Sequence, residues 1–222
     1  MTFSILALDR QTGAIGCAAA TGNLAVGAWV LRAAARVGAV ATQGFSVSPL
    51  WGDQALARLG SGERAEEVVG GLTAADPGRD HRQLAVLDCH GGGAAWTGDA
   101  NTDVKDHMVG TDCVIAGNWL SGSGVLTAMN QGYREGADSG EGDFGHRLLA
   151  ALEAGIAAGS DARGTLSAAI RIVRADRSPL DLRVDYDEAP LDRLRALYEM
   201  ATNPPYSEWT RQVPTLDDPY RC

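Results

Sequence analysis

At 222 residues, with 45% hydrophobic and 21% charged positions, the chain is long enough for one α/β domain and too apolar to remain disordered. Its 28 acids against 19 bases give a formal charge of −9, and the bases are 18 arginines and a single lysine, Lys105. With no Lys/Arg-rich run, the chain lacks the electrostatic footprint of a phosphate-backbone or anionic-membrane binder, so neither nucleic acid nor a membrane is an expected partner.

The first elements read as a hairpin: a strand over Phe3–Leu8, a turn at Asp9–Gly13, and a second strand over Ala14–Ala20. The opening apolar run is too short for a targeting segment and ends in Asp9-Arg10. The weakly apolar stretch from Gly13 to Thr42 is broken by Asn23, Arg32 and Arg36, which argues against a membrane span and for a cytoplasmic protein. Val37–Thr42 reads as a third strand of small residues. Apolar positions then recur at helical spacing through Leu50, Ala55, Leu56 and Leu59, and again from Ala65 to Leu72, before Asp76-Pro77-Gly78 closes the run.

Gln83–Asp88 and Gly93–Gly98 flank Cys89-His90-Gly91-Gly92 as a second hairpin, its first half apolar enough for a strand buried on both faces. His107–Gly110 and Cys113–Ala116 are strand-like, and Gly117–Gly124 is a glycine- and serine-dense loop leading into a helix with Val125, Leu126 and Met129 on one face. Phe144–Ala158 is the clearest helix, its stripe made by Phe144, Leu148, Leu149, Leu152 and Ile156. Strands over Leu166–Val173 and Leu180–Val184 and a helix over Leu191–Met200 complete a domain spanning residues 1–200. The remaining tail, 201–222, has no core pattern but carries Tyr206, Trp209 and Tyr220, which suits an arm that wraps a neighbouring subunit. A homodimer or larger homo-oligomer is therefore expected.

Strands in hairpin-linked blocks separated by paired helices predict an α+β layered fold with antiparallel sheets. The four cysteines and four histidines are scattered without a ligand spacing, so no metal and no cofactor is expected. Thr2 is the first position with chemical potential. Once Met1 is removed, its hydroxyl is a nucleophile and its own amine, with an unperturbed pKa of about 8, is the base.

Residues 2–26, TFSILALDRQTGAIGCAAATGNLAV, resemble the opening hairpin of N-terminal nucleophile (Ntn) hydrolases such as proteasome β-subunits. QLAVLDCHGGGAAWTGD, GTDCVIAGNWLSGSGVLTAMNQGY and SDARGTLSAAIRIVRAD resemble later pieces of the same fold. Closer still, TFSILALD, LAVGA, ARVGAVATQ, AADPGRDHRQLAVLD, Gly117–Leu120, LLAALEAG and PLDLRVD are similar, in order, to an Ntn-hydrolase-like family catalogued as domain of unknown function ten-twenty-eight. That resemblance implies a four-layer αββα sandwich and supplies no substrate.

It also places residues. Thr2 falls on the nucleophile position. Ser121 or Ser123 falls where proteasome subunits hold a serine beside the amine, although Ser123 also suits a helix N-cap. Asp161 falls where a supporting aspartate stands, or is a solvated loop acid. The acid expected at the end of the second strand is replaced by Ala18-Ala19-Ala20-Thr21, and the third strand has no lysine; Arg36 is the nearest cation and cannot shuttle a proton. Asn118, an amide donor in a glycine-flanked loop, is the oxyanion-hole candidate, with Gln43 second. Trp119, with Trp51 and Trp96, is a candidate pocket wall. Two functions fit: an amidohydrolase acting on a small amide or peptide-like substrate through a Thr acyl-enzyme, and an inactive Ntn-like scaffold that binds a small metabolite.

Overall fold

The computed structural model describes every residue except Met1, Asp103, 139–142, 161–162 and Cys222. The N-terminal hairpin pairs β1 (Thr2–Asp9) with β2 (Ala14–Thr21) in full register, Thr2 opposite Thr21 and Asp9 opposite Ala14. β1 also pairs with β8 (Cys113–Asn118), and the sheet is completed by β7 (Asp106–Gly110), β9 (Ser167–Val173) and β10 (Leu180–Val184), in the order β10-β9-β2-β1-β8-β7. A second antiparallel sheet runs β3-β4-β5-β6, made of β3 (Leu31–Ala34), β4 (Gly38–Gln43), β5 (Gln83–Asp88) and β6 (Gly93–Thr97).

The period-2 alternation of each strand divides the core into three layers. Phe3, Ile5 and Ala7 of β1 face α4 (Gly124–Asp138) and α5 (Phe144–Ala157), where they meet Met129, Leu148, Leu149 and Leu152. Leu6 and Leu8 face the other way, into a layer of small residues between the sheets that includes Cys17, Ala19, Ala39, Ala41, Ala85 and Ala116. On the outer face of the second sheet, Val40, Leu84 and Val86 pack on Trp51, Leu59, Val68 and Leu72 of α2 (Pro49–Gly60) and α3 (Ala65–Ala75). The result is the αββα sandwich. Alanine-rich strands permit the two sheets to approach closely without voids.

Local chemistry sets the helix ends. Ser48 caps α2 through its Oγ on the Trp51 N–H, with Pro49 at the first helical position. In α5 the stripe read from the sequence is the buried one: Leu148, Leu149 and Leu152 are fully enclosed, with Phe144 and Ile156 at its margins. The β3–β4 turn places Arg36 at φ 62, and Gly38 follows at φ 154, where an added Cβ would strike the Leu87 carbonyl. Elements beyond the sequence reading include α1 (Val26–Trp29) and β3, both four residues long.

α6 (Pro190–Thr202) packs on β9, β10 and α5. Gly145 of α5 gives room for the Tyr198 ring, and the hydroxyl of Tyr198 donates to Asp143, which also caps α5 at the His146 N–H. His146 presents Nδ1 to Asp143 at 2.9 Å and Nε2 to Glu199 at 2.8 Å. Partial burial opposes its charge, but the two carboxylates outweigh burial and raise its pKa. Asp143 shifts the opposite way, its desolvation outweighed by the hydrogen bonds from Tyr198 and His146. A histidine with a raised folded pKa stabilises the fold fully below its unfolded pKa, and that contribution is lost as pH rises through the folded value. His146→Gln is therefore expected to cost more stability at about pH 5.5 than at about pH 8.5, as read by denaturant melts at both. Equal losses would show that His146 is not charged in this clasp.

The tail returns along its own chain. After α7 (Tyr206–Thr210), Asp217 donates its N–H to the Ala175 carbonyl at 2.9 Å and its carboxylate pairs with Arg36. Among the described residues no helix is long and apolar enough to cross a membrane.

Candidate active site

The inter-sheet layer is apolar for most of its length and turns polar at one end. The residues in phase with the inward alanines and leucines, one rung further along, are Thr2 on β1, Thr21 on β2, Gln43 on β4, Gln83 on β5, Thr97 on β6 and Asn118 on β8. Cross-strand partners share a face, so the pairing of Thr2 with Thr21 on one side and Asn118 on the other sets three polar side chains in a row. The second sheet contributes Gln43, paired with Gln83, which is paired in turn with Thr97.

Hydrogen bonds join the two sheets here. Thr2 Oγ1 donates to Thr21 Oγ1 at 3.2 Å, and the Thr2 carbonyl accepts from Gln43 Nε2 at 3.2 Å. Gln83 is the hub. Its Nε2 donates to Thr97 Oγ1 at 2.8 Å and lies 2.9 Å from the Gly117 carbonyl and 3.0 Å from that of Asp106. Its Oε1 accepts from Gln43 Nε2 at 2.7 Å and from Asn118 Nδ2 at 3.0 Å. Thr97 in turn meets His107 Nδ1 at 2.9 Å.

The direction of every amide in this cluster follows from two backbone carbonyls. The carbonyls of Gly117 and Asp106 only accept, so the Gln83 amide nitrogen must face them and its oxygen must face Gln43 and Asn118. Gln43 and Asn118 are then obliged to present nitrogen to Gln83. One Asn118 N–H is spent in this way and a second remains, which is what an oxyanion donor requires.

Of the residues singled out in the sequence, the structure brings Thr2, Asn118 and Gln43 to this one end. Ser121, Ser123 and Trp119 lie on the loop that leaves β8 directly after Asn118. Ser121 and Ser123 are exposed; Ser121 accepts no role in the Thr2 network and instead binds the Ser160 carbonyl through its N–H. Trp119 sits at φ 57, a costly conformation for a bulky side chain, and holds an exposed ring beneath the Arg163 guanidinium at 4.6 Å. Asp161 lies outside the described residues. Arg36 is not brought to Thr2: its turn precedes β4, whereas Gln43 ends that strand, so Arg36 stands at the opposite end of the sandwich, beside Asp217. Trp51 is enclosed in the outer core, and Trp96 lies partly buried against the same cluster. Among the described residues no group of histidine, cysteine, aspartate or glutamate side chains is arranged to hold a metal ion.

Gln83, Thr21, Thr97 and His107 belong to the cluster without having been singled out. The signal for the first two was phase. Gln83 is in step with Ala85 and Leu87, and Thr21 with Cys17 and Ala19, so each extends an inward-facing series by one polar residue.

The chain is thus an αββα sandwich whose first strand begins on the inter-sheet face with a hydroxyl residue, between a threonine and an asparagine. More narrowly, the chain belongs to the family of unknown function DUF1028, which it matches over residues 2–194. It is 43% identical to protein SPO2555 from Silicibacter pomeroyi, of the same family, with a TM-score of 0.93 over 99% of this chain and 98% of that one. Eukaryotic HslV from Trypanosoma brucei is similar at a TM-score of 0.48 and 12% identity, covering 77% of this chain and 99% of its own. No curated protein matches the sequence.

Proposed function

We propose that the protein is an N-terminal nucleophile amidohydrolase that cleaves a small amide or peptide-like substrate. The observation that carries this reading is the position of Thr2, with its hydroxyl on the polar rung and Asn118 directly across the strand pair. After Met1 is removed, the Thr2 amine takes the hydroxyl proton as Oγ1 attacks the substrate carbonyl. The remaining Asn118 N–H and a backbone N–H stabilise the oxyanion. The C–N bond then breaks, the leaving amine takes the proton, and water cleaves the Thr2 ester to restore the hydroxyl. Ser123 and Asp161 support the amine in this reading, and Trp119 forms a wall for the substrate. Intact-mass analysis of natively expressed protein, with Thr2→Ala in an amidase screen, tests it.

A second reading is a binding scaffold without hydrolysis. What favours it is that the described hydrogen-bond partners of Thr2 are neutral, a hydroxyl and a carboxamide, with neither carboxylate nor lysine among them. A metabolite that survives purification unchanged, bound equally by wild type and Thr2→Ala, would establish it.

The tail from residue 201 is the proposed oligomerisation arm of a cytoplasmic homodimer or larger assembly. Tyr206 and Trp209 pack on each other yet stay 51% and 56% exposed, and Tyr220 is 91% exposed, more aromatic surface than a solvent-facing tail needs. Deleting residues 203–222 is expected to lower the oligomeric state in light scattering; an unchanged mass would remove the arm from the account.

A further inference from the structure

Gln43 is 1% exposed, and its Oε1 has no hydrogen-bond partner among the described residues. An orphaned buried acceptor has given up its hydrogen bond to water without replacement, so its persistence asks for a donor. Turning the carboxamide over does not help. Nε2 already serves the Thr2 carbonyl and Gln83 Oε1, both acceptors, and Gln83 is itself fixed by the Gly117 and Asp106 carbonyls. Gln43 Oε1 is thus held beside the start of β1 without a donor among the described residues.

In a strand the N–H and C=O of one residue point to the same side. In Thr2 both belong to the residue that Gln43 reaches from the facing sheet, with Nε2 bonding its carbonyl. While Thr2 is the second residue of the chain that nitrogen is an amide; once Met1 is removed it becomes an amine with additional hydrogens.

We propose that Gln43 is a positioning residue for the amine of processed Thr2: Nε2 holds the Thr2 carbonyl, and Oε1, aimed by Gln83, accepts a hydrogen bond from the amine. This rests on the reading of Thr2 as the nucleophile. Fixing one amine hydrogen restricts rotation about the Cα–N bond and leaves the lone pair a position from which to reach the Thr2 hydroxyl, as a base on the same residue needs. It also gives the site an anchor for the amine without the acid and lysine that are missing from the second and third strands.

The groups facing Thr2 from β2, β4, β5 and β8 are Thr21, Gln43, Gln83 and Asn118, none of which titrates in the working range. His107 joins the cluster through Thr97; Lys105 binds the Asp99 and Asn101 carbonyls, and Arg163 stacks on Trp119. The test uses Met1-free protein labelled with [15N]threonine, in which the Thr2 amine is titrated by NMR. Gln43→Met removes the acceptor and is expected to lower the amine pKa by about half a unit to one unit; Gln43→Glu places a carboxylate there and is expected to raise it by about as much. A packing defect would not give opposite signs. Values within about 0.2 units of wild type in both variants would overturn the proposal. If neither variant folds, a crystal structure of the Met1-free wild type decides: a hydrogen bond from the Thr2 nitrogen to Gln43 Oε1 supports the proposal, and an Oε1 bonded only to water overturns it. Loss of turnover in Thr2→Ala with an unaltered amine titration in both Gln43 variants would sink this inference alone; unimpaired turnover in Thr2→Ala would sink the reading of Thr2.

Discussion

Thr2→Ala is expected to reduce amide turnover by about a thousandfold or more, while Thr2→Ser retains measurable activity. The size of the effect follows from the economy of the site: one residue supplies nucleophile and base, so removing its hydroxyl leaves only binding and oxyanion stabilisation. The same substitution should scarcely alter the fold. Thr2 is half-buried at the start of a strand, and among the described residues its hydroxyl bonds Thr21 at 3.2 Å, so about 1 kcal/mol of stability is at stake. Activity and stability are thus expected to separate cleanly in this variant. A Thr2→Ala protein that turns over substrate at the wild-type rate would end the nucleophile account.

Gln83→Leu is expected to show the reverse, a loss of stability of about 2–4 kcal/mol and a fall in Tm of roughly 5–15 °C. Gln83 is wholly buried and serves five partners at once, so an apolar replacement strands the N–H groups of Gln43 and Asn118 and withdraws a donor from Thr97. Gln131→Leu is the matching control. Gln131 is exposed and its side chain bonds Glu135 on its own helix, so the same chemical change there is expected to cost less than about 0.5 kcal/mol. Denaturant melts of the two variants give the comparison directly. Equal losses would mean that the polar rung is not the structural clamp between the sheets.

The fold was legible in the sequence wherever a segment was long enough to carry a period. The β1–β2 hairpin, the β5–β6 hairpin and the stripe of α5 all followed from residue spacing, and the resemblance to Ntn hydrolases arranged them into layers. α1 and β3 did not, because four residues such as Leu31–Ala34 hold no period of their own. β3 exists because Leu31 and Ala33 find Ala41 and Ala39 across a strand pair, a contact that only the folded chain supplies. The site divides in the same way. Thr2 and Asn118 were recognisable because each carries a distinctive chemical type at a telling place. Gln83 was hidden as the first letter of an apolar run, QLAVLD, and its importance comes from carbonyls contributed by β7 and β8. Arg36 was drawn toward the site by closeness in sequence to the third expected strand. Strand direction decides otherwise, since a six-residue β4 separates the turn holding Arg36 from Gln43 at the other end.

The central claim is that Thr2 is an activated nucleophile with a free amine. Treating natively expressed protein with a β-lactone, a general acylating electrophile, and reading the product by intact mass and peptide mapping tests both halves at once. The account predicts a chain that begins at Thr2 and carries one acyl group on that residue. A chain that retains Met1, or one acylated equally in wild type and Thr2→Ala, would contradict it.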